Sequence, residues 1–188
     1  MKRPRRPSRC WAANDSRYFP PRGSGAGEPT GNRPRFARSC GREMSELEPI
    51  PSIEANGARI PLVGLGTWEL RGRACARIVE QALRLGYRHV DTAEMYDNER
   101  EVGEGLRASG VKRGDVFVTT KIWPSHFTPR ELERAARDCL ARLRLGEVDL
   151  LLLHWPNPNV PLAETIGALC KVKRDGLARN IGVSNFTV

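Results

Sequence analysis

Four short runs of this chain, YRHVDTA, VFVTTKIW, VDLLLLHW and ARNIGVSNF, read as β-strands, and each carries a polar residue near its C-terminal end. Those residues are Asp91, Lys121, His154 and Ser184, separated by 30, 33 and 30 positions. About thirty residues is the length of one strand and one crossover helix, and repeating that unit builds a parallel sheet. Two architectures share such a pattern: an open doubly wound sheet and a closed eight-unit barrel.

The segments between the strands carry helical patterns. Residues 74–85 place Cys75, Ile78, Val79 and Ala82 on one face, with Gly86 as the stop. Asn98 is positioned to cap a helix running to Ser109, with Glu101 as its capping-box partner and Gly110 behind it. Thr128-Pro129-Arg130-Glu131 opens a third helix ahead of Leu132, Ala135, Ala136, Cys139, Leu140 and Leu143. Pro161 begins a fourth, which ends at Gly176. Before the repeats, Asn56-Gly57 sits between two short β-like runs, a strong hairpin signal, and IPLVGLGT (60–67) reads as one buried first strand. The run VDLLLLHW is apolar enough for a strand covered on both faces.

The glycines after the first strand separate the two architectures. An open nucleotide-binding sheet wants G-x-G-x-x-G there, whereas Gly64-Leu65-Gly66-Thr67-Trp68-Glu69 has Glu at the third glycine position. Gly64 and Gly66 are expected instead to allow close backbone approach. In a barrel, polar residues at the C-terminal strand ends converge on one mouth. That mouth would collect Thr67 and Trp68, Asp91 and Tyr96, Lys121 and Trp123, His154 and Trp155, and Ser184 and Asn185. Glu94 and Asp97 read as solvated loop charges, and the cysteines as core filler.

A phenol, with an ordinary pKa of about 10, is a poor proton donor near neutral pH unless an ammonium stands beside it and a carboxylate holds that ammonium in place. Tyr96, Lys121 and Asp91 supply those three parts, and a neutral His154 is suited to orient a carbonyl oxygen. No Ser-His or Cys-His pair with a nucleophile elbow accompanies them. The missing component is a nucleophile for the carbonyl carbon, and a hydride from a nicotinamide fits that gap.

GYRHVDTAEMYDNEREVG (86–103) and RNIGVSNF (179–186) resemble the two signature stretches of the aldo-keto reductase family, and TTKIWP and LLLLHWPNP resemble its third- and fourth-strand motifs. The resemblance covers roughly residues 50 to 188, and the run HWPNPNVPLAET is most similar to bacterial 2,5-didehydrogluconate reductases and broad aldehyde reductases. It implies catalytic roles for Tyr96 as proton donor, for Lys121 and Asp91 as its partners, and for His154 in directing the carbonyl. It implies cofactor contacts from Ser184, Asn185, Thr67 and Asp91, a substrate pocket of Trp68, Trp123, Trp155 and His154, and NADPH/NADP as cofactor. The expected partner is a small-molecule carbonyl compound.

A family barrel has eight strands in about 250 residues. From Ile60 this chain has room for five units, so the expectation is an α/β fold: a partial (β/α)8 TIM barrel behind an N-terminal hairpin, over residues 46–188. The resemblance places the aromatic that stacks on the nicotinamide, and the Lys/Arg group for the 2′-phosphate, in strands six to eight. The further expectation is a truncated enzyme with all four catalytic positions and little of its cofactor site. The alternative is a non-catalytic interaction protein built on the half barrel.

Charge is concentrated outside the repeats. Residues 1–43 hold eleven Lys/Arg against three acidic residues, which accounts for +8 of the +9 net charge. Rich in Arg, Pro, Gly and Ser and without apolar periodicity, residues 1–45 read as a disordered basic extension. No aromatic-interleaved module or zinc spacing accompanies it, so nucleic acid is not an expected partner. Five cysteines with no close pairs suit a reducing cytoplasm, and no apolar run is long enough for a membrane span.

Overall fold

The computed structural model describes residues 50–187; the basic extension and its boundary at residue 45 lie outside the described residues. A two-stranded antiparallel hairpin comes first, β1 (Ser52–Ala55) with β2 (Ala58–Pro61), paired from Ser52↔Pro61 to Ala55↔Ala58. Its turn is Asn56-Gly57 with φ of 48° and 83°, the double left-handed geometry that this dipeptide accepts at low cost.

Five parallel strands follow in sequential order: β3 (Leu65–Gly66), β4 (His89–Asp91), β5 (Phe117–Ile122), β6 (Val148–Leu153) and β7 (Ala178–Val183). The crossovers are α1 (Gly72–Arg84), α2 (Glu99–Ala108), α3 (Pro129–Leu143) and α4 (Leu162–Arg174). The strand order does not reverse, so there is no switch point of the open doubly wound kind, and the sheet is part of a barrel wall.

The core lies between the outer face of the sheet and the helices. Val90, Val118, Leu151 and Leu153 meet Val79, Leu83, Val102, Leu132, Leu143 and Leu169, all nearly or fully buried. Each such side chain contributes about 1.5–3 kcal/mol by leaving water. All six apolar positions anticipated for α3 are buried. On α1 the buried set is Cys75, Val79, Ala82 and Leu83, while Ile78 is 37% exposed; the face is turned by one position from that expected.

Two further expectations are corrected. Residues 60–67 are not one strand. The hairpin ladder ends with Leu62 N–H donating to Pro51 O at 2.8 Å, a bond that Pro51, lacking an N–H, cannot return; Leu62 and Val63 are exposed, and strand pairing resumes only at Leu65. β6 is not covered on both faces: Leu151 and Leu153 face the helices and are buried, while Leu150 and Leu152 on the inner face are only half-buried.

The inner face carries the residues whose chemistry matters. Parallel register puts His89 opposite Phe117 and Asp91 opposite Thr119, and aligns Lys121 with Leu152 and Leu152 with Gly182. A Cβ on Gly64 would lie 2.8 Å from His89 Nδ1, so the chain passes that imidazole only as glycine; Gly66, with open space around it, has no such constraint.

Candidate active site

The C-terminal strand ends bring four functional groups together. Asp91 is the last residue of β4, Lys121 the penultimate residue of β5, and His154 follows β6 directly. Tyr96 ends a 3-10 turn, Glu94–Tyr96, that follows β4. Asp91 Oδ1 and Lys121 Nζ form an ion pair, and the same ammonium donates to Thr92 O at 3.0 Å and toward the Tyr96 hydroxyl oxygen at 3.4 Å. Lys121 is 7% exposed, so its charge has little water around it and depends on these oxygens.

The direction of the Lys121–Tyr96 contact is chemically informative. An ammonium has only donors, so the phenol oxygen accepts and its own hydrogen remains for another acceptor. Nζ also lies 5.0 Å from the ring centroid. His154 also stands beside Tyr96, with ring centroids 5.8 Å apart and planes at 73°. Its Nδ1 is buried without a hydrogen-bond partner among the described residues. Burial and the Lys121 ammonium hold this imidazole below the ordinary histidine range, against an opposing pull from Asp91. It is therefore neutral at physiological pH.

Aromatic rings border the group. Trp68 packs edge-on to Tyr96 at 4.9 Å and Trp123 edge-on to His154 at 5.4 Å. Trp68 and Trp155 are each 48% exposed, and Trp155 makes no ring contact with this cluster.

The positions expected near a cofactor divide. Ser184 and Asn185 follow β7 directly, and Ser184 N–H extends the ladder to Leu153 O at 2.8 Å. Asn185 has φ of 63°, and its Nδ2 donates to His154 O at 2.8 Å and Ser184 Oγ at 3.0 Å, joining the ends of β6 and β7. Thr67 is fully buried and its hydroxyl donates to Asp91 O at 3.1 Å, so its side chain serves the joint between β3 and β4.

Three residues that shape the mouth escaped the sequence reading. Glu94 is not a solvated charge: it is 15% exposed, and its Oε2 accepts the Trp123 N–H at 2.9 Å. Asn98 makes no side-chain cap to α2. It is buried, its Nδ2 donates to Thr67 O at 2.7 Å and Leu70 O at 3.0 Å, and its Oδ1 accepts from Thr92 Oγ1 at 2.9 Å. It thereby ties the loop after β3 to the loop after β4. Arg71 Nη1 donates to Tyr96 O at 3.2 Å. The available signal was positional: Glu94 is two residues before Tyr96 and Asn98 two after it.

A cavity of about 380 Å³ lies elsewhere, at the N-terminal strand ends beneath the hairpin, lined by Ser52, Arg59, Arg88, Asp149, Arg179 and others. Arg88 and Arg179 there are already bonded, Arg88 Nη1 to Leu83 O and Tyr87 O and Arg179 to Glu147, so the hollow offers little free chemistry. The C-terminal strand ends hold the grouping of Asp91, Tyr96, Lys121 and His154. Among the described residues no cluster of His, Cys, Asp and Glu is arranged to hold a metal ion, and no helix is long and apolar enough to cross a membrane.

Comparison with known proteins identifies the family. A model described as the aldo/keto reductase family matches residues 62–188. Methylglyoxal reductase DkgB of Yersinia pestis is 45% identical over 131 residues, covering 69% of this chain and 49% of that protein. The D/L-glyceraldehyde reductase of Hypocrea jecorina is 36% identical over 158 residues, covering 70% and 47%. A crystal structure of a Bombyx mori aldo-keto reductase in complex with NADP superposes with a TM-score of 0.69 at 36% identity, covering 74% of this chain and 52% of that one. The chain spans about half the length of the curated relatives it matches.

Proposed function

The chain belongs to the aldo/keto reductase family, and from that premise we propose that it acts in the NADPH-dependent reduction of a small aldehyde or ketone to an alcohol, with Tyr96 as the proton donor. The observation that carries this reading is the grouping of Tyr96, Lys121, Asp91 and His154 at one end of the sheet. The names of the relatives, which act on methylglyoxal and glyceraldehyde, and the NADP of the Bombyx mori structure support the substrate class and the cofactor.

The roles follow from the contacts. A carbonyl oxygen placed between the Tyr96 hydroxyl and His154 accepts the phenol hydrogen, which no protein group in the cluster takes. As that O–H bond breaks, Lys121 at 3.4 Å stabilises the charge left on the phenol oxygen, and Asp91 keeps the ammonium in place. His154, neutral and with an unpartnered ring nitrogen, orients the oxygen without competing as an acid. Trp68 and Trp123 wall the small apolar side of the pocket, with Trp155 at its outer edge. A nicotinamide, when bound, supplies the hydride that none of these side chains provides. Ser184 and Asn185 would hold its carboxamide: both amide hydrogens of Asn185 are committed to protein oxygens, and its Oδ1 and the Ser184 hydroxyl hydrogen are suited to such a group.

The experiment is to follow loss of NADPH absorbance with the full chain and methylglyoxal or glyceraldehyde. Turnover is expected, with a deuterium label at C4 of the reduced cofactor appearing on the carbinol carbon. Absence of turnover across small aldehydes, with the chain shown to be folded, would refute the reading.

A further inference from the structure

The 3-10 turn that carries Tyr96 is short. It is closed by Tyr96 N–H to Ala93 O at 3.0 Å and Asp97 N–H to Glu94 O at 3.2 Å, and it leaves through Asp97 in a left-handed conformation with φ of 52°. Tyr96's hydroxyl contact to Lys121, at 3.4 Å, is too long to fix a ring by itself. Met95 is exposed, and the Arg71 bond to Tyr96 O is on the surface.

Asn98 ties the far side of the turn to the loop after β3, and Glu94 links the turn to β5. Its carboxylate crosses from the turn to β5, where Oε2 accepts the Trp123 N–H at 2.9 Å, and Oε1 lies 2.9 Å from His126 Nδ1. Trp123 is the first residue beyond β5, and its amide lies on the edge facing β4, where Phe117 N–H donates to Arg88 O and Thr119 O accepts from Thr92 N–H, but β4 itself has ended at Asp91. Its amide therefore needs an acceptor from outside the sheet, and Glu94 provides it. One carboxylate thus joins the backbone segment carrying the phenol to the segment carrying the indole that packs on His154.

We propose that Glu94 is a positioning residue, which holds the Tyr96 turn and the Trp123 backbone in register across the mouth through its bond to the Trp123 amide. Its effect on rate rests on the carbonyl-reduction reading; its effect on the two segments does not. A hydrogen bond with one ionised partner sets the scale. Removing it by Glu94→Ala speeds amide exchange of Trp123 and Tyr96 by about tenfold or more, and turnover falls by about 10- to 100-fold in kcat with a smaller change in KM. Glu94→Gln, which keeps an acceptor oxygen, stays within about threefold of the parent in both readouts.

The test is residue-resolved hydrogen exchange on the full chain and both variants, with Val118 as internal control, since its N–H is held at 2.9 Å by Asp149 at the opposite end of the sheet. The expected result is faster exchange at Tyr96 and Trp123 in Glu94→Ala, an unchanged Val118, and recovery in Glu94→Gln. Unchanged exchange at both sites, acceleration that includes Val118 equally, or no recovery with Gln would overturn the proposal. Exchange reports on the tether even if the parent proves inactive, which would refute only the reductase reading. If the parent is active, faster exchange with an unaltered kcat would remove Glu94 from the positioning of the reaction.

Discussion

The two ends of the sheet treat their charges differently. At the N-terminal end, Asp149 Oδ2 accepts from Arg113 Nη2 at 2.7 Å and Val118 N–H at 2.9 Å, and Arg179 Nη1 lies 3.5 Å from its other oxygen. Arg179 in turn donates twice to Glu147, at 2.8 and 2.6 Å. Every charge in that network has an opposite charge, and the network joins the start of β5, β6 and β7. At the C-terminal end, Asp91 and Lys121 also pair, but beside them a phenol hydrogen and a buried imidazole nitrogen are left without acceptor or donor. A native fold tolerates few such groups unless something else is to meet them. The cavity of about 380 Å³ is at the first end and the open valences are at the second, so concavity and unsatisfied polar groups point to different ends of the sheet.

Lys121→Met is the substitution expected to blur this division most, because Lys121 holds Asp91 and faces the phenol together. It is expected to lower kcat by about 10²- to 10³-fold and to destabilise the chain by about 1–3 kcal/mol, since Asp91 is left without its counter-ion. Steady-state rates and thermal unfolding on the same preparation check both; loss of stability without loss of turnover would make Lys121 part of the framework only.

Gly64→Ala probes the inner face between the two ends. A Cβ 2.8 Å from the His89 ring forces that side chain or the backbone to shift, at a cost of about 1–3 kcal/mol, whereas Gly66→Ala, with open space, is expected to be neutral or stabilising by up to about 1 kcal/mol. Chemical denaturation of the pair gives the comparison directly.

The smallest expected effect is that of pH. Burial lowers the pKa of both His154 and His89. A histidine with a folded-state value below its unfolded one binds fewer protons when folded, so its contribution to stability is complete above about pH 6.5 and is lost as pH falls below that value. The kcat/KM profile is expected to be flat in this group from neutral pH to about 6.5 and to fall by at most tenfold per unit below its lowered pKa, as His154 acquires charge beside Lys121. A decline beginning above pH 7 that disappears in His154→Gln would contradict a neutral imidazole held below its ordinary range.

Parts of this arrangement were legible in the sequence for a physical reason. Leu132, Ala135, Ala136, Cys139, Leu140 and Leu143 recur at helical spacing because one face of α3 must leave water, and all six do. Asp91, Lys121 and His154 stand out because a charge or an imidazole at the end of an apolar strand needs a partner, and repetition at about thirty residues supplies one from each neighbour. What was not legible depends on main-chain partners. Glu94 bonds a backbone N–H and Asn98 two backbone carbonyls, and neither leaves a pattern of residue types. The split of residues 60–67 into two short strands likewise depends on where Pro51, across the hairpin, leaves the ladder a donor short, which hydrophobicity alone does not register.

The central claim, that one end of the sheet is built for proton delivery and the other for the fold, is tested most directly by crossing Tyr96→Phe with Asp149→Asn and measuring turnover and thermal unfolding of each. The Tyr96 hydroxyl makes one long contact, so Tyr96→Phe is expected to lower kcat by about 10²- to 10⁴-fold while leaving the unfolding temperature within about 2 °C. Asp149→Asn, which weakens a 9%-exposed carboxylate's bonds to Arg113 and Val118, is expected to cost about 2–3 kcal/mol while the folded protein turns over within about twofold of the parent. Comparable losses of turnover in the two variants, or a Tyr96→Phe protein that reduces carbonyls at the parental rate, would contradict the account.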